Sequence, residues 1–302
     1  MKLLHIGERD GLSILMFGLG LIGGAVDRAL QLRCHTRAGQ FPYDWRHDIL
    51  RRAQRAAIRA ELRPRDRIAM VWTGGQSGFA STEIEMAKET ALVAELVEMA
   101  ESLGRDGRQV DFHMLSSAGG LFEGQTHCGR IGVPRPLRPY GEGKRQQEKI
   151  LARAAGLNRR RIYRPSSVYG VTRSRRVGLV AALVSNAMRG TTTRIYGNPN
   201  TLRDYVLADD IGHYIARSIL KSGSGEPVET RLLASGRPAS VFEVIERVRE
   251  RMGRPLLLQF DPHPSNVRDM SFLPSALPAD WQATSLASGI AGIVTFFRSG
   301  SA

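Results

Sequence analysis

The chain has 302 residues, of which 42% are hydrophobic and 24% charged, a composition typical of a globular protein with a large buried core. Its 43 lysines and arginines and 29 aspartates and glutamates give a net charge of +14. Because arginines are mixed with carboxylates and their densest clusters lack interleaved aromatic residues for base stacking, we expect no nucleic-acid partner. A positive surface instead attracts anionic small molecules such as nucleotides and sugar phosphates.

Cysteine usage and hydropathy predict a cytoplasmic protein. Cys34 and Cys128 stand far apart without a CxxC pattern or a neighbouring histidine cluster, so we expect neither a disulfide framework nor a metal site. The apolar stretch over 12–26 is rich in glycine and follows charged residues, which favours a strand and turn over a signal peptide. No run of about 20 apolar residues predicts a membrane span, and we expect no membrane partner.

Predicted strands and helices alternate along the first two thirds of the chain. In chain order they are a strand at 12–17, a helix at 25–32, a strand at 68–72, a helix at 83–103, a strand at 110–115, a helix at 146–155, a strand at 161–164 and a helix at 179–188. This alternation predicts an α/β fold with a doubly wound parallel sheet.

Beyond about residue 190 the pattern loosens into isolated strand candidates at 194–197, 202–206, 231–233 and 256–260. We therefore predict a first domain over 1–190 that carries the main sheet and the chemistry. Residues 191–302 are expected to form mainly a smaller substrate-binding lobe that is interleaved with the sheet.

A glycine-rich turn joins the first strand to the first helix. Gly18, Gly20 and Gly23 have the spacing in which the first glycine makes a tight turn, the second lets backbone approach a pyrophosphate and the third packs helix on strand. The phosphates are expected at the helix N-terminus, so Leu21 and Ile22 join the predicted dinucleotide site. A plain turn is the alternative, which the strand and helix on either side disfavour.

The choice between NAD and NADP stays open. The acidic residue expected about 20 positions after the turn, where it would bind the adenine ribose, is not clearly present. Arg33 and Arg37 lie in this region and favour the 2′-phosphate of NADP, whereas Asp44 favours NAD. We predict NAD or NADP, with a slight preference for NADP through Arg37, and solvent-facing arginines are the alternative.

Tyr140 and Lys144 are four residues apart, so both side chains lie on one face of a helix if a helix begins here. An ammonium group near a phenol favours the phenolate, which can exchange a proton with a sugar or alcohol hydroxyl while hydride moves to or from nicotinamide.

Ser116 and Ser117 follow the strand at 110–115, at the edge where parallel sheets place ligand-facing residues. Ser117, or alternatively Ser116, is expected to bind the substrate oxygen. A turn without chemistry is the other interpretation.

Taken in chain order, the motifs resemble the extended short-chain dehydrogenase/reductase family, in particular its NAD-dependent epimerase/dehydratase branch acting on nucleoside-diphosphate sugars. The resemblance covers most of the chain, and its motifs are Gly18 to Gly23, Trp72-Thr-Gly-Gly75, Ser116-Ser-Ala118, Pro139-Tyr-Gly-Glu-Gly-Lys144, Arg164-Pro-Ser-Ser-Val-Tyr-Gly170 and Leu202-Arg-Asp-Tyr-Val206 with Asp209-Asp210. It implies a Rossmann fold with a smaller C-terminal substrate-binding lobe.

The resemblance also implies roles for individual residues. Tyr140 is the implied acid/base, Lys144 binds the nicotinamide ribose and Ser117 positions the sugar hydroxyl. Further implied cofactor contacts are Thr73, Gly74, Gly75, Ser116, Arg164, Pro165, Ser166 and Ser167, and further implied substrate contacts are Gly119, Arg203 and Arg268. For Arg203 the alternative is a surface ion pair with Asp204.

Two departures from the family pattern narrow the expectation. The turn reads Gly-x-Gly-x-x-Gly rather than Gly-x-x-Gly-x-x-Gly, and no Asp-Val-Asp element for the adenine follows it, which leaves adenine binding open. Ala118 and Gly119 stand where dehydratases of the family carry an Asp-Glu pair, which disfavours dehydration.

We therefore predict an NAD(P)-dependent enzyme that epimerises a nucleoside-diphosphate sugar, similar to a UDP-sugar 4-epimerase, by transient hydride transfer. One alternative is an NADPH-dependent reductase of a keto sugar nucleotide or another carbonyl compound. A second alternative is a non-catalytic NADP-binding sensor or scaffold. By analogy with family members, a homodimer through the helix at 83–103 and the helix after Tyr140 is expected.

Overall fold

The computed structural model describes residues 1–7, 11–129, 132–172, 178–221, 226–263 and 267–299. The strands in these ranges are β1 (Lys2–Ile6), β2 (Leu12–Phe17), β3 (Thr36–Gln40), β4 (Arg67–Trp72), β5 (Val110–Leu115), β6 (Arg159–Pro165), β7 (Ser167–Tyr169), β8 (Thr193–Tyr196), β9 (Leu202–Leu207), β10 (Val228–Leu233), β11 (Pro238–Ser240) and β12 (Leu258–Asp261). The helices are α1 (Leu21–Arg33), α2 (Asp48–Ala60), α3 (Glu83–Arg105), α4 (Ala118–Leu121), α5 (Pro139–Arg153), α6 (Leu179–Arg189), α7 (Ala208–Leu220), α8 (Val241–Met252) and α9 (Leu286–Arg298).

The main sheet confirms the predicted doubly wound Rossmann architecture. In the described ranges its strand order is β10-β6-β5-β4-β2-β1-β3, with β10, β6, β5, β4 and β2 pairing in parallel. Neighbouring residues of β2 alternate between two cores: Leu15 and Phe17 pack with α3, whereas Ile14 and Met16 pack with α1 and α7. This alternation follows from the two-residue period of a strand, and it explains why a sheet covered on both faces has continuous apolar strands.

Two strands of the sheet, β1 and β3, were not predicted. β1 lies between β2 and β3 and is antiparallel to both, with Lys2 opposite Met16 on one side and Gln40 on the other. The strand that follows the first helix, β3, is therefore separated from β2 by a full strand. Since strands are spaced by about 4.8 Å, β3 lies about 10 Å from β2 in the plane of the sheet.

The C-terminal lobe is built around its own apolar cluster. Helices α6, α8 and α9 pack together there, through side chains such as Val184, Val244 and Ile293. In contrast, β10 completes the edge of the main sheet and α7 packs on α1. The region after residue 190 thus contributes to the main sheet, and α6, which precedes residue 190, packs in the C-terminal lobe.

Within the described ranges, no helix combines the length and apolar character needed to cross a membrane.

Candidate active site

The glycine turn packs tightly against the end of the neighbouring strand. Gly18 has a φ of +103°, and a Cβ built on it would lie 2.5 Å from the backbone of Gly74. A Cβ on Gly23 would lie 2.0 Å from the Gly18 carbonyl oxygen and 2.5 Å from Thr73 Oγ1. Thr73 Oγ1 in turn donates a 2.6 Å hydrogen bond to that carbonyl. Gly18 and Gly23 are therefore required by backbone conformation and packing.

Gly20 serves a different purpose. Its φ of −71° is accessible to any residue, and a Cβ there would meet no atom within 4 Å. Gly20 is also the N-cap of α1, which has no side-chain cap and no acidic residue in its first turn. An open approach to uncapped N–H groups fits the pyrophosphate of a dinucleotide, because helix N-termini bind anions.

The structure does not bring Arg37 to this turn. Arg37 is exposed in β3 opposite His5 of β1, three residues before the strand ends at Gln40. Because His5 in turn lies opposite Ser13, and β1 separates β3 from β2, Arg37 lies about 13 Å along and about 10 Å across from the end of β2 at Phe17.

The carboxylate of Asp44 caps the backbone that follows it. Its carboxylate accepts the backbone N–H groups of His47 and Arg46 at 2.6 and 2.7 Å, and these bonds lower its pKa to about 2. Trp45 lies instead against Gly74, the residue on which Gly18 of the turn packs. Its Cη2 lies 3.2 Å from a Cβ built on Gly74, and its ring packs 5.8 Å from that of Trp72.

Tyr140 and Lys144 share a helix face as the spacing predicts. α5 begins at Pro139, seven residues before the predicted helix start at 146, and Lys144 Nζ lies 5.8 Å from the centroid of the Tyr140 ring. The early start is hidden in the sequence by glycines that weaken helix propensity. These glycines allow close packing, since a Cβ on Gly141 would lie 2.0 Å from the Gly120 oxygen and one on Gly143 2.4 Å from Met86.

Serine hydroxyls lie at the carboxyl ends of the two adjacent strands β5 and β6. Ser117 caps the short helix α4, where its Oγ accepts a 3.1 Å hydrogen bond from the Gly120 N–H. Ser116 and Ser166 are buried, and neither hydroxyl has a hydrogen-bond partner in the part of the chain that the structure describes. Buried hydroxyls without partners are costly, so a polar ligand that pairs with them fits this edge of the sheet.

Ser116, Ser117, Ser166 and Tyr140 all line one cavity of about 410 Å³. Its described lining residues are Ile22, Phe79, Leu115, Ser116, Ser117, Gly119, Glu123, Tyr140, Pro165, Ser166, Ser167, Val168, Arg203 and Met270. Most of the predicted substrate and nicotinamide contacts therefore converge, although they come from four separate parts of the chain. Phe79, Glu123 and Met270 were missed because no motif marks them.

Arg203 enters this cavity from β9. It is buried, burial lowers its pKa, and its guanidinium donates to the backbone oxygen of Arg268. Asp204 is fully buried and accepts bonds from the N–H groups of Ser235 and Gly236. The alternative of a surface ion pair between Arg203 and Asp204 is therefore wrong, since both side chains are buried and bond to different partners.

Two other predicted contacts lie outside the cavity lining. The Arg164 guanidinium forms two bonds to Glu148, at 2.8 and 2.6 Å, and lies over the Phe122 ring. Arg268 is exposed, and its side chain packs near Gly124. Neither Arg164 nor Arg268 is among the residues that line the cavity.

Lys144 has a buried partner that the sequence analysis did not identify. Its Nζ donates to Glu89 Oε1 at 2.8 Å and to Gln147 Oε1 at 3.1 Å. Burial alone raises the pKa of Glu89, but the Lys144 charge and bonds from Lys144, Ser77 and Gln147 outweigh it, so this pKa lies below its usual value. A signal was present, because Glu89 interrupts the buried stripe of α3 formed by Met86, Val93 and Leu96.

A larger cavity of about 720 Å³ lies at the opposite edge of the sheet, before β4. Two of its arginines are paired within the chain, Arg59 with Asp106 and Arg67 with Asp111. It contains none of the groups described above, so we assign the active site to the cavity with Tyr140.

Comparison with known proteins gives the family. The model of the NAD-dependent epimerase/dehydratase family matches residues 45–230, which include the serine, tyrosine and lysine motifs but not the glycine turn. UDP-glucose 4-epimerase of Mycolicibacterium smegmatis is 30% identical over 227 residues, covering 69% of this chain and 69% of that protein. The chain therefore belongs to the NAD-dependent epimerase/dehydratase family.

Solved structures show the same fold. UDP-glucose 4-epimerase of Thermotoga maritima with UDP-glucose has a TM-score of 0.75 at 21% identity, covering 96% of this chain and 99% of that one. The Thermus thermophilus UDP-glucose 4-epimerase in complex with NAD also has a TM-score of 0.75, at 19% identity over 95% and 98% of the two chains. The Pseudomonas aeruginosa protein RMD with NADPH has a TM-score of 0.72 at 18% identity over 95% and 99%.

Proposed function

We propose that the protein epimerises a nucleoside-diphosphate sugar with the help of a nicotinamide dinucleotide, as an epimerase similar to those acting at C4 of UDP-sugars. The observation that carries the proposal is the convergence of Ser116, Ser117 and Tyr140 on one cavity, with Lys144 beside the tyrosine ring. The relatives named UDP-glucose 4-epimerase, from M. smegmatis and T. maritima, support the substrate class.

The residues present fit the dinucleotide. Its pyrophosphate would bind over Gly20 at the start of α1, and its nicotinamide half would face Ser116 and Ser166, whose hydroxyls lack partners among the described residues. When bound, the nicotinamide ring supplies a reversible hydride acceptor. Since Arg37 is remote from the turn, the slight preference for NADP loses its structural basis, and relatives were solved with either NAD or NADPH.

The chain itself supplies binding and proton transfer. Tyr140 as phenolate takes the proton of the sugar hydroxyl, and Lys144 favours that phenolate by its charge. Ser117 orients the sugar oxygen, and the buried guanidinium of Arg203 meets the negative diphosphate. Tyr140 gives the proton back to the sugar oxygen, and because the hydride returns to the opposite face of the same carbon, the configuration inverts with no net oxidation.

Dehydration is disfavoured by the remaining groups of the cavity. Ala118 and Gly119 are buried in α4 and carry no acid or base. Glu123 lines the cavity, but Arg138 holds its two carboxylate oxygens with bonds of 2.8 and 2.9 Å. Tyr140 is therefore the group to which we assign proton transfer.

The test has two parts. Mass spectrometry of the nucleotide released on denaturing fresh protein identifies the cofactor, and stoichiometric NAD is the result expected for an epimerase. An empty site that takes up NADPH and consumes it with a keto sugar would replace the proposal by a reductase.

Interconversion of UDP-glucose and UDP-galactose, with NAD(P)H absorbance followed in parallel, tests the reaction. We expect product without net reduced cofactor, and a loss of about 10²- to 10⁴-fold in kcat for Tyr140→Phe. The exposed Tyr196 gives the control, since Tyr196→Phe removes a hydroxyl remote from the cavity. Equal turnover of Tyr140→Phe and wild type would contradict the assignment.

We also propose that two copies of the chain form a homodimer through α3 and α5, and size-exclusion chromatography tests this.

A further inference from the structure

The environment of Lys144 differs from that of a lone lysine beside a tyrosine. Glu89 of α3 and Lys144 of α5 are each 5% exposed, and their charged atoms are 2.8 Å apart. Gly75, with a φ of +118°, makes room for the carboxylate, because a Cβ there would lie 2.8 Å from Glu89 Oε2. The end of β4 thus leaves space for a negative charge that faces the active-site lysine.

The pair is part of a larger hydrogen-bond network. Glu89 Oε2 accepts the Ser77 N–H at 3.2 Å, and Oε1 accepts Gln147 Nε2 at 3.2 Å as well as Lys144 Nζ. Gln147 is 0% exposed and bonds to both members of the pair. Two of the three N–H groups of Lys144 are used in this network, which leaves one for a ligand.

We propose that Glu89 is a positioning residue of the active site, whose carboxylate fixes the Lys144 ammonium and offsets part of the positive charge that this ammonium presents to Tyr140. The inference rests on the proposed function, because it assigns Glu89 a part in the proton transfer by Tyr140. Two opposite charges at this distance act on a group several ångströms away largely as a dipole, so Lys144 stabilises the phenolate less than an unpaired ammonium does.

The other charged groups around the site are paired or distant from this network. Glu148 of α5 is bound to Arg164 of β6, and Glu123 is bound to Arg138. Arg203 of β9 lines the cavity. None of these contacts involves Glu89, so we attribute a change in the titration of the tyrosine in a Glu89 variant to the Glu89 charge.

The test variant is Glu89→Gln, which keeps the size and an acceptor oxygen for Lys144 but removes the negative charge. Loss of that charge favours the phenolate, so Tyr140 should lose its proton at lower pH. We expect the acid limb of the kcat/KM profile to move down by about one pH unit or more. Glu95→Gln is the matched control, because Glu95 lies on the same helix but pairs with Arg51 and Arg55. Its profile should equal that of the wild type.

A second readout needs no turnover. Tyrosinate absorbance is titrated for the wild type and for Glu89→Gln, each with and without the added substitution Tyr140→Phe, and the difference isolates Tyr140. A midpoint at lower pH in Glu89→Gln supports the inference, whereas an unchanged or higher midpoint in folded protein overturns it. Glu89→Asn serves as a second neutral variant should Glu89→Gln not fold, and Glu89→Asp, which keeps the charge, should retain the wild-type profile.

The two proposals fail separately. A protein that turns over no nucleotide sugar but shows the shifted tyrosinate midpoint refutes the function and retains the Glu89–Lys144 coupling. An active enzyme whose Glu89→Gln profile and midpoint match those of the wild type refutes the role of Glu89 alone.

Discussion

Replacement of Gly20 by alanine separates ligand binding from folding. The new Cβ meets no protein atom within 4 Å and the φ of −71° suits alanine, so the free energy of unfolding should change by no more than about 1 kcal/mol. The same methyl group occupies the approach to the first N–H groups of α1. Loss of one charge-assisted hydrogen bond to the pyrophosphate, worth about 1.5–3 kcal/mol, weakens dinucleotide affinity by about 10- to 100-fold.

Isothermal titration calorimetry with NAD and NADP measures this effect, and urea unfolding monitors stability. Gly24→Ala is the matched control, because its Cβ would make only ordinary contacts, the nearest at 3.5 Å from Arg28, inside the same helix. Gly24→Ala should bind as the wild type does and gain up to about 1 kcal/mol of stability. Wild-type affinity in folded Gly20→Ala would refute a dinucleotide phosphate at this turn.

Two further predictions concern stability. Burial lowers the pKa of His113 to about 3 from 6.5, so below pH 6.5 the unfolded chain binds a proton that the folded chain does not. As the pH falls below 6.5, this residue should therefore lower the free energy of unfolding by about 1.4 kcal/mol per pH unit. In urea unfolding between pH 6.5 and 4, the free energy of unfolding of His113→Phe should depend less steeply on pH than that of the wild type. Equal pH dependence in the two proteins would contradict this role of His113. Asp111 is 1% exposed and pairs with Arg67 and Arg159, so Asp111→Asn should cost about 3–5 kcal/mol, whereas Glu246→Gln at an exposed pair should cost less than about 1 kcal/mol. Equal losses in these two variants would contradict the buried charge cluster.

The glycine turn shows how far local pattern reaches. The spacing of Gly18, Gly20 and Gly23 between an apolar run and a helical pattern predicted a tight turn at Gly18 and close packing at Gly23, and both have these contacts; the pyrophosphate at Gly20 stays a prediction. These roles follow from backbone conformation within a few residues. The same pattern did not predict β1, because the position of β1 between β2 and β3 depends on hydrogen bonds to strands that are distant in the sequence.

The inserted strand also explains why Arg37 does not lie near the glycine turn. Arg37 follows the turn at the distance along the chain expected for a residue that contacts the adenine ribose. A residue at that distance lies close to the turn only when the second parallel strand is adjacent to the first. The insertion of β1 removes that adjacency. Trp45, which does pack against Gly74, follows β3 by five residues and carries no charge that a motif would identify.

By itself the sequence determined the alternation of strands and helices, the strand-turn-helix at Gly18 and the placement of Tyr140 and Lys144 on one helix face, because each depends on residues within one or two turns of each other. Only the tertiary structure decided that Arg203 lines the cavity of Tyr140, that Arg164 pairs with Glu148, and that Glu89 pairs with Lys144. These associations join residues 16 to 63 positions apart: Glu148 bonds to Arg164, Glu89 bonds to Lys144, and Tyr140 and Arg203 line one cavity. They form where packed helices exclude water and a buried charge must find a partner, which no local spacing encodes.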